Sequence, residues 1–163
     1  MKISNLKFGG LLFTIMAVAW LLPSCKSKKP ITKANQSPGM VNTARELIGS
    51  SYRYGARGPK SFDCSGLIEY VFKRNGQVLK GSAEYMSRRG KGIAIEKARP
   101  GDLVFFKNVK KTDHVAIISR RKPNQLWVIH STSSKGVIEE EILTSVYWKD
   151  KVSKVIPLEN LTR

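Results

Sequence analysis

The sequence predicts an α+β fold in which amino-terminal helices pack on an antiparallel β-sheet. Helix-like segments come first along the chain, and five strand-like segments follow them. A run of helices followed by a run of strands is typical of α+β domains. The length of 163 residues is enough for one such domain.

The principal helix is predicted to begin at Cys64, because apolar residues recur after it at three- and four-residue spacing. Asp63 or Ser61 supplies the N-cap, and Asn75-Gly76 ends the helix. Cys64 is therefore expected in the first turn, facing the core. Shorter helices are predicted over Val41–Ile48 and Ser82–Arg89, with a loop over Ser51–Ser61.

The strands are predicted after the turn Pro100-Gly101-Asp102, where β-branched and aromatic residues become frequent. Pro123-Asn124 separates the second strand from the third and indicates a hairpin connection. The five predicted strands are Leu103–Lys107, His114–Arg120, Leu126–Ser131, Gly136–Glu141 and Val152–Pro157.

Residues 1–24 are expected to be a signal peptide. Lys2 and Lys7 give a basic start, and the apolar run from Leu11 to Leu22 is shorter than the roughly 20 residues that a bilayer span needs. Leu22-Pro23-Ser24-Cys25 resembles a bacterial lipobox, so Cys25 is expected to carry lipid. The alternatives are an ordinary secretory signal and an uncleaved anchor.

Residues 25–39 are expected to form the lipidated cysteine and a flexible tether, and residues 40–163 the folded domain. A lipid on Cys25 anchors the chain to a membrane of the cell envelope. Lys26 stands where an aspartate retains enteric lipoproteins in the inner membrane, so the outer membrane is favoured. Cys64 is then the one remaining thiol, and a Cys25–Cys64 disulfide is the alternative.

The formal net charge of +17 is spread along the chain. Nucleic-acid-binding proteins carry such charge, but this chain has no aromatic-interleaved basic motif and no zinc-finger spacing. Nucleic acid is therefore not an expected partner. In an exported protein the charge favours contact with anionic phospholipid headgroups, lipopolysaccharide and carboxylate-rich cell wall.

Cys64, His114 and His130 have the residue types of a cysteine peptidase site. A helix amino-terminus lowers the pKa of a thiol, and a nearby imidazole can accept its proton. Across a hairpin centred near Pro123, both histidines lie towards the end away from the turn, within plausible hydrogen-bonding range. The alternatives are a core cysteine with unrelated histidines and a zinc ligand set.

Five segments in order strongly resemble the NlpC-type cell-wall peptidases, which are small papain-like cysteine peptidases. The resemblance runs from about Val41 to Glu141. Its segments are Tyr52-Arg53-Tyr54-Gly55, Phe62-Asp63-Cys64-Ser65-Gly66-Leu67-Ile68, Arg99-Pro100-Gly101-Asp102-Leu103-Val104-Phe105-Phe106, His114-Val115-Ala116-Ile117 and Val128-Ile129-His130.

The resemblance implies that Cys64 is the nucleophile, His114 the general base and His130 the residue that orients it. It further implies that Tyr54 helps to stabilise the oxyanion. A structural role as a loop aromatic packed on the helix is the alternative for Tyr54.

Three more positions match residues that bind substrate in the family. Asp63 and Ser65 flank the cysteine, and helix capping is their alternative role. Ser82 matches a family serine, although its surroundings, Leu79-Lys80-Gly81-Ser82, depart from the family's Leu-Pro-Arg-Thr-Ser stretch.

The implied activity is hydrolysis of the bond between γ-D-glutamate and diaminopimelate or lysine in peptidoglycan stem peptides. The resemblance implies no metal and no cofactor, and a monomer is expected. The alternatives are an N-acetylmuramoyl-alanine-type amidase or an acyltransferase on the same scaffold, and a non-catalytic module that binds cell wall.

Overall fold

The computed structural model describes residues 36–109 and 111–161. The expected signal peptide, Cys25 and most of the expected tether lie outside the described residues. Within the described part of the chain, no helix has both the length and the apolar character needed to cross a membrane.

Helices precede the main sheet, as the sequence predicts, and two short strands lie between the first two helices. The elements are α1 (Gln36–Glu46), β1 (Ser51–Tyr52), β2 (Ser61–Phe62), α2 (Cys64–Arg74), α3 (Ala83–Ser87), a 3₁₀ turn (Ile95–Lys97), β3 (Leu103–Asn108), β4 (Lys111–Lys122), β5 (Gln125–Thr132), β6 (Gly136–Glu141), a 3₁₀ turn (Lys149–Lys151), β7 (Val152–Ile156) and α4 (Leu158–Leu161).

The main sheet has five antiparallel strands in the order β6-β5-β4-β3-β7. All five predicted strands are present, with bounds that differ from the prediction by at most three residues. The β4–β5 hairpin turns at Pro123-Asn124, where it was predicted. The starts of β4, β6 and β7 and the ends of β3 and β5 consequently share one end of the sheet.

Two apolar clusters cover the two faces of this sheet, because alternate residues of each strand point to opposite faces. On one face, Phe105, Ile117 and Ile129 belong to the same cluster as Leu67 and Phe72 of α2. On the other face, the buried strand residues are Val104, Phe106, Ala116, Ile118, Leu126, Val128 and Val155. The apolar face of α2 predicted from spacing is thus the face that contacts the sheet.

The amino-terminus of α2 is fixed by the residues around Cys64. Asp63 is the N-cap: its Oδ1 accepts from Gly66 N at 2.6 Å, and its Oδ2 accepts from Gly55 N at 2.9 Å. A Cβ on Gly66 would overlap the carbonyl oxygen of Ala56. Only glycine therefore lets the first turn of α2 approach the preceding loop this closely.

Two segments depart further from the sequence prediction. Helix α1 starts at Gln36, inside the segment expected to be tether, and Pro38 is compatible with its first turn because proline needs no hydrogen-bond partner there. The segment expected to be a loop contains β1 and β2, which pair in parallel. These strands have two residues each, too few for a periodic pattern to show in the sequence.

Candidate active site

Cys64 and His114 line one open cleft of about 560 Å³ at the end of the sheet where β4 begins. The Cys64 thiol lies against the backbone on both sides of His114: Sγ is 3.9 Å from the carbonyl oxygen of Asp113 and also contacts the N–H of Val115. The thiol of Cys64 is free. Helix α2 and strand β4 thus bring the Cys64 thiol and the His114 imidazole to one cleft across 50 residues of chain.

A chain of hydrogen bonds leads away from His114 into the protein. His114 Nε2 lies 2.9 Å from His130 Nδ1, and His130 Nε2 lies 2.7 Å from Glu140 Oε1. His130 is fully buried, and both of its ring nitrogens have a partner. Leaving either nitrogen unpaired at this depth would cost about 1–3 kcal/mol, so the chain stabilises the fold as well as the site.

The chain fixes the position of the proton on His114. The hydrogen bond from His130 lowers the pKa of Glu140, so its carboxylate is ionised at neutral pH and can only accept. With one proton on His130, that proton lies on Nε2 towards Glu140, so Nδ1 accepts and His114 donates from Nε2. This assignment follows from the hydrogen-bond network and leaves the lone pair of His114 on Nδ1. His114 can then accept a proton from the thiol.

Trp148 holds both the carboxylate and the base in place. Its Nε1 donates to Glu140 Oε1 at 2.8 Å, and its ring stacks on His114 with centroids 4.8 Å apart and an interplanar angle of 25°. The same indole packs on Phe106 of β3. The orientation of the His114 ring is thus limited by stacking on one side and by the hydrogen bond to His130.

Burial keeps both reacting groups neutral in the empty cleft. It raises the pKa of the Cys64 thiol to about 11, with the Asp63 carboxylate adding to the rise and backbone N–H groups opposing it. It also lowers the pKa of His114 to about 3, and His130 acts in the same direction. The resting site therefore holds a thiol beside an unprotonated imidazole.

The two tyrosines of the β1 region differ in position. Tyr54, the residue expected at the oxyanion, is 89% exposed and is not among the residues that line the cleft. Tyr52 lines the cleft, and burial followed by the charge of Cys64 raises its pKa. The geometry moves the candidate hydroxyl from Tyr54 to Tyr52, because Tyr52 lies in β1 and Tyr54 in the turn after it.

The three residues expected to bind substrate all serve as helix-start hydrogen-bond partners. Asp63 is buried, and both of its carboxylate oxygens are occupied; Ser65 Oγ donates to its Oδ1 at 2.9 Å. Ser82 is the N-cap of α3 and accepts from Tyr85 N at 3.2 Å. None of the three lines the Cys64 cleft, so their role in substrate binding stays a prediction.

Sequence reasoning did not identify Glu140 or Trp148. The strand register does indicate Glu140. His130 pairs with Ile138 between β5 and β6, so Glu140, two residues further along β6, lies on the same face as His130. Choosing it from the run Glu139–Glu141 required that register. Trp148 lies between β6 and the following 3₁₀ turn, and no local pattern places its ring against His114.

The chain is similar to known proteins over most of its length. The sequence model of the NlpC/P60 family matches residues 49–156. A gamma-DL-glutamyl hydrolase of Bacillus subtilis is 34% identical over 139 residues, which are 84% of this chain and 33% of that protein. The chain thus spans about a third of the length of this curated relative.

Solved structures share the fold. The NlpC/p60 domain of the peptidoglycan hydrolase SagA is 28% identical, with a TM-score of 0.61 over 75% of this chain and 98% of that domain. A Staphylococcus aureus protein described as similar to lipoprotein, NLP/P60 family, is also 28% identical, with a TM-score of 0.65 over 81% of this chain and 44% of the other. These structures confirm the predicted α+β class.

The pH dependence of thiol alkylation tests the neutral resting state. Because burial raises the pKa of Cys64, the reactive thiolate is scarce at neutral pH. We expect the rate of alkylation by iodoacetamide to keep rising above the ordinary thiol pKa of about 8.5. Peptide mapping by mass spectrometry assigns the modification to Cys64, with Cys64→Ala as the control. Full reactivity already reached between about pH 5 and 7 would indicate a resting thiolate–imidazolium pair and contradict this account.

Proposed function

This chain belongs to the NlpC/P60 family, and on that premise we propose that it is a cysteine endopeptidase that hydrolyses peptidoglycan stem peptides. The proposed bond joins γ-D-glutamate to diaminopimelate or lysine, and the proposed intermediate is an acyl-enzyme on Cys64. One observation carries the proposal: a free thiol shares one open cleft with His114 and Glu140, which buried His130 links by hydrogen bonds.

The first half of the reaction follows from the tautomer of His114. As Cys64 Sγ attacks the carbonyl carbon, His114 Nδ1 accepts the thiol proton, so charge separates only when substrate is present. His130 and the Glu140 carboxylate stabilise the imidazolium that forms. Collapse of the tetrahedral intermediate breaks the C–N bond, and the departing amine takes the proton from His114. A γ-glutamyl thioester remains on Cys64.

The second half reverses the proton movements. Water attacks the thioester carbonyl while His114 Nδ1 accepts its proton, and the thiol regains that proton when the carboxylate product leaves. In both halves, negative charge develops on the carbonyl oxygen. The backbone N–H groups of Cys64 and Ser65, which approach Sγ, and the hydroxyl of Tyr52 are the candidate donors to this oxygen.

The relatives support the substrate class by their names. The Bacillus subtilis relative is a gamma-DL-glutamyl hydrolase, and SagA is a peptidoglycan hydrolase. A γ-glutamyl bond is also what peptidoglycan offers between its second and third stem residues. The net charge of +17 favours approach to such a polyanionic polymer at low ionic strength.

Digestion of purified peptidoglycan by the full chain tests the reaction, the bond and the nucleophile together. We expect wild type to release fragments whose new carboxyl-terminus is γ-D-glutamate, identified by mass spectrometry. Cys64→Ala should lower the rate at least about 10⁴-fold, because the nucleophile is lost. Its thermal unfolding should match that of wild type, which separates lost chemistry from lost fold.

Three outcomes would contradict the proposal. Fragments cut between the glycan and the first alanine would indicate an amidase. Equal release by wild type and Cys64→Ala would exclude Cys64 as the nucleophile. No release by folded wild type would leave the cleft with another amide substrate or with a binding role.

We also propose that lipid on Cys25 anchors the chain in the cell envelope, with the outer membrane favoured. The support is the lipobox-like sequence Leu22-Pro23-Ser24-Cys25. We expect the mature chain in the membrane fraction to begin at Cys25 and to carry an added diacylglyceryl mass on its amino-terminal peptide, measured by mass spectrometry. An unmodified Cys25 in membrane-bound protein would contradict the proposal.

A further inference from the structure

Two lysines line the Cys64 cleft, Lys135 and Lys151. The ion pairs within 4.0 Å in the described part of the chain involve neither of them. Lys135 is exposed, and Lys151 is half-buried. The cleft therefore presents two ammonium groups without a carboxylate partner among the residues that the structure describes.

The strand order places the two ammonium groups on opposite flanks of His114. Lys135 lies in the turn that joins β5 to β6, and Lys151 ends the 3₁₀ turn that leads directly into β7. The sheet order is β6-β5-β4-β3-β7, and His114 lies on β4, between these two flanks. A peptide bound across the cleft with its scissile bond at Cys64 passes one lysine on each side of that bond.

Local contacts order the Lys151 side chain and the turn that carries Lys135. Lys151 Nζ lies 3.2 Å from the centroid of the Tyr147 ring, a cation–π contact that restricts the long side chain. The turn that carries Lys135 is closed by a hydrogen bond from Lys135 N to Thr132 Oγ1 at 3.2 Å. A charge positioned like that of Lys151 loses less conformational entropy on binding than one on a free side chain does.

The acidic residues of the cleft do not neutralise these lysines. Glu140 is engaged by His130 and Trp148, and Lys135 acts on it only as a charge at longer range. Asp113 lies beside His114, between the two flanks, and its carbonyl oxygen contacts the Cys64 thiol. The Asp113 carboxylate disfavours a substrate carboxylate at the centre of the cleft. A substrate carboxylate is therefore attracted to the flanks, where the lysines lie.

We propose that Lys135 and Lys151 determine substrate specificity by binding two carboxylates, one on each side of the scissile bond. The inference rests on the proposed function and defines its substrate further. A stem with a free α-carboxylate on its γ-D-glutamyl residue and diaminopimelate at the third position supplies both groups. D-isoglutamine removes the first carboxylate, and lysine in place of diaminopimelate removes the second.

Four synthetic tetrapeptide stems test this inference with the full chain. They combine D-glutamate or D-isoglutamine at the second position with diaminopimelate or lysine at the third, and kcat/KM is measured for each. We expect each lost carboxylate to lower the kcat/KM of wild type about three- to fivefold, the range of a partly exposed ion pair.

Lys135→Gln and Lys151→Gln then assign the two contacts. Each variant should lose the preference at one stem position and keep it at the other. The readout is the ratio of kcat/KM between stems. Loss of the Lys135 charge also acts on Glu140, but that effect changes kcat/KM for all four stems alike and leaves the ratio unchanged. Lys149→Gln is the matched control: it removes the same charge from the same 3₁₀ turn, but Lys149 does not line the cleft. It should keep both preferences.

The inference and the proposed function fail in different ways. Cleavage of all four stems by wild type at equal rates would overturn the inference and leave the peptidase function intact. Preferences that survive in both cleft variants, or that Lys149→Gln abolishes equally, would also overturn it. Cleavage of none of the four stems by wild type would overturn the proposed function and the inference with it.

Discussion

The Glu140 carboxylate can only accept hydrogen bonds, and two imidazole rings carry this constraint from Glu140 to the ring beside the Cys64 thiol. His130 donates to the carboxylate from Nε2; with its one proton there, it accepts from His114 at Nδ1, and the His114 lone pair is left on Nδ1. The proposed reaction requires this lone pair to face the thiol. Trp148 contacts both ends of the chain of hydrogen bonds and keeps their separation fixed.

The sheet explains why one end of the domain carries all of the chemistry. Antiparallel pairing brings the starts of β4, β6 and β7 and the ends of β3 and β5 to a common end. The base, the cleft lysines and the turn that follows Trp148 come from these ends, while α2 supplies the thiol from outside the sheet. Because the strand interiors are buried on both faces, they can hold these groups rigidly without taking part in the reaction.

The sequence predicted those parts of the molecule that depend on local pattern. The five strands, the helix at Cys64 and the meeting of Cys64 with His114 and His130 followed from periodicity, turn residues and motif resemblance. Motif resemblance led to the expectation of Tyr54 at the oxyanion, whereas β1 brings Tyr52, not Tyr54, to the cleft. Glu140 and Trp148 depend on strand register and on the path of a loop, and neither leaves a local signal strong enough to select them.

The most direct test of the account is the protonation state of the two histidines. The sequence contains only His114 and His130, so a long-range ¹H–¹⁵N spectrum of the folded protein should show two imidazole spin systems. We predict that His114 is neutral at pH 7, that both rings carry their proton on Nε2, and that Glu140→Ala frees His130 and mixes the tautomers of His114. A His114 ring protonated on Nδ1 in wild type, or a tautomer indifferent to Glu140→Ala, would contradict the account.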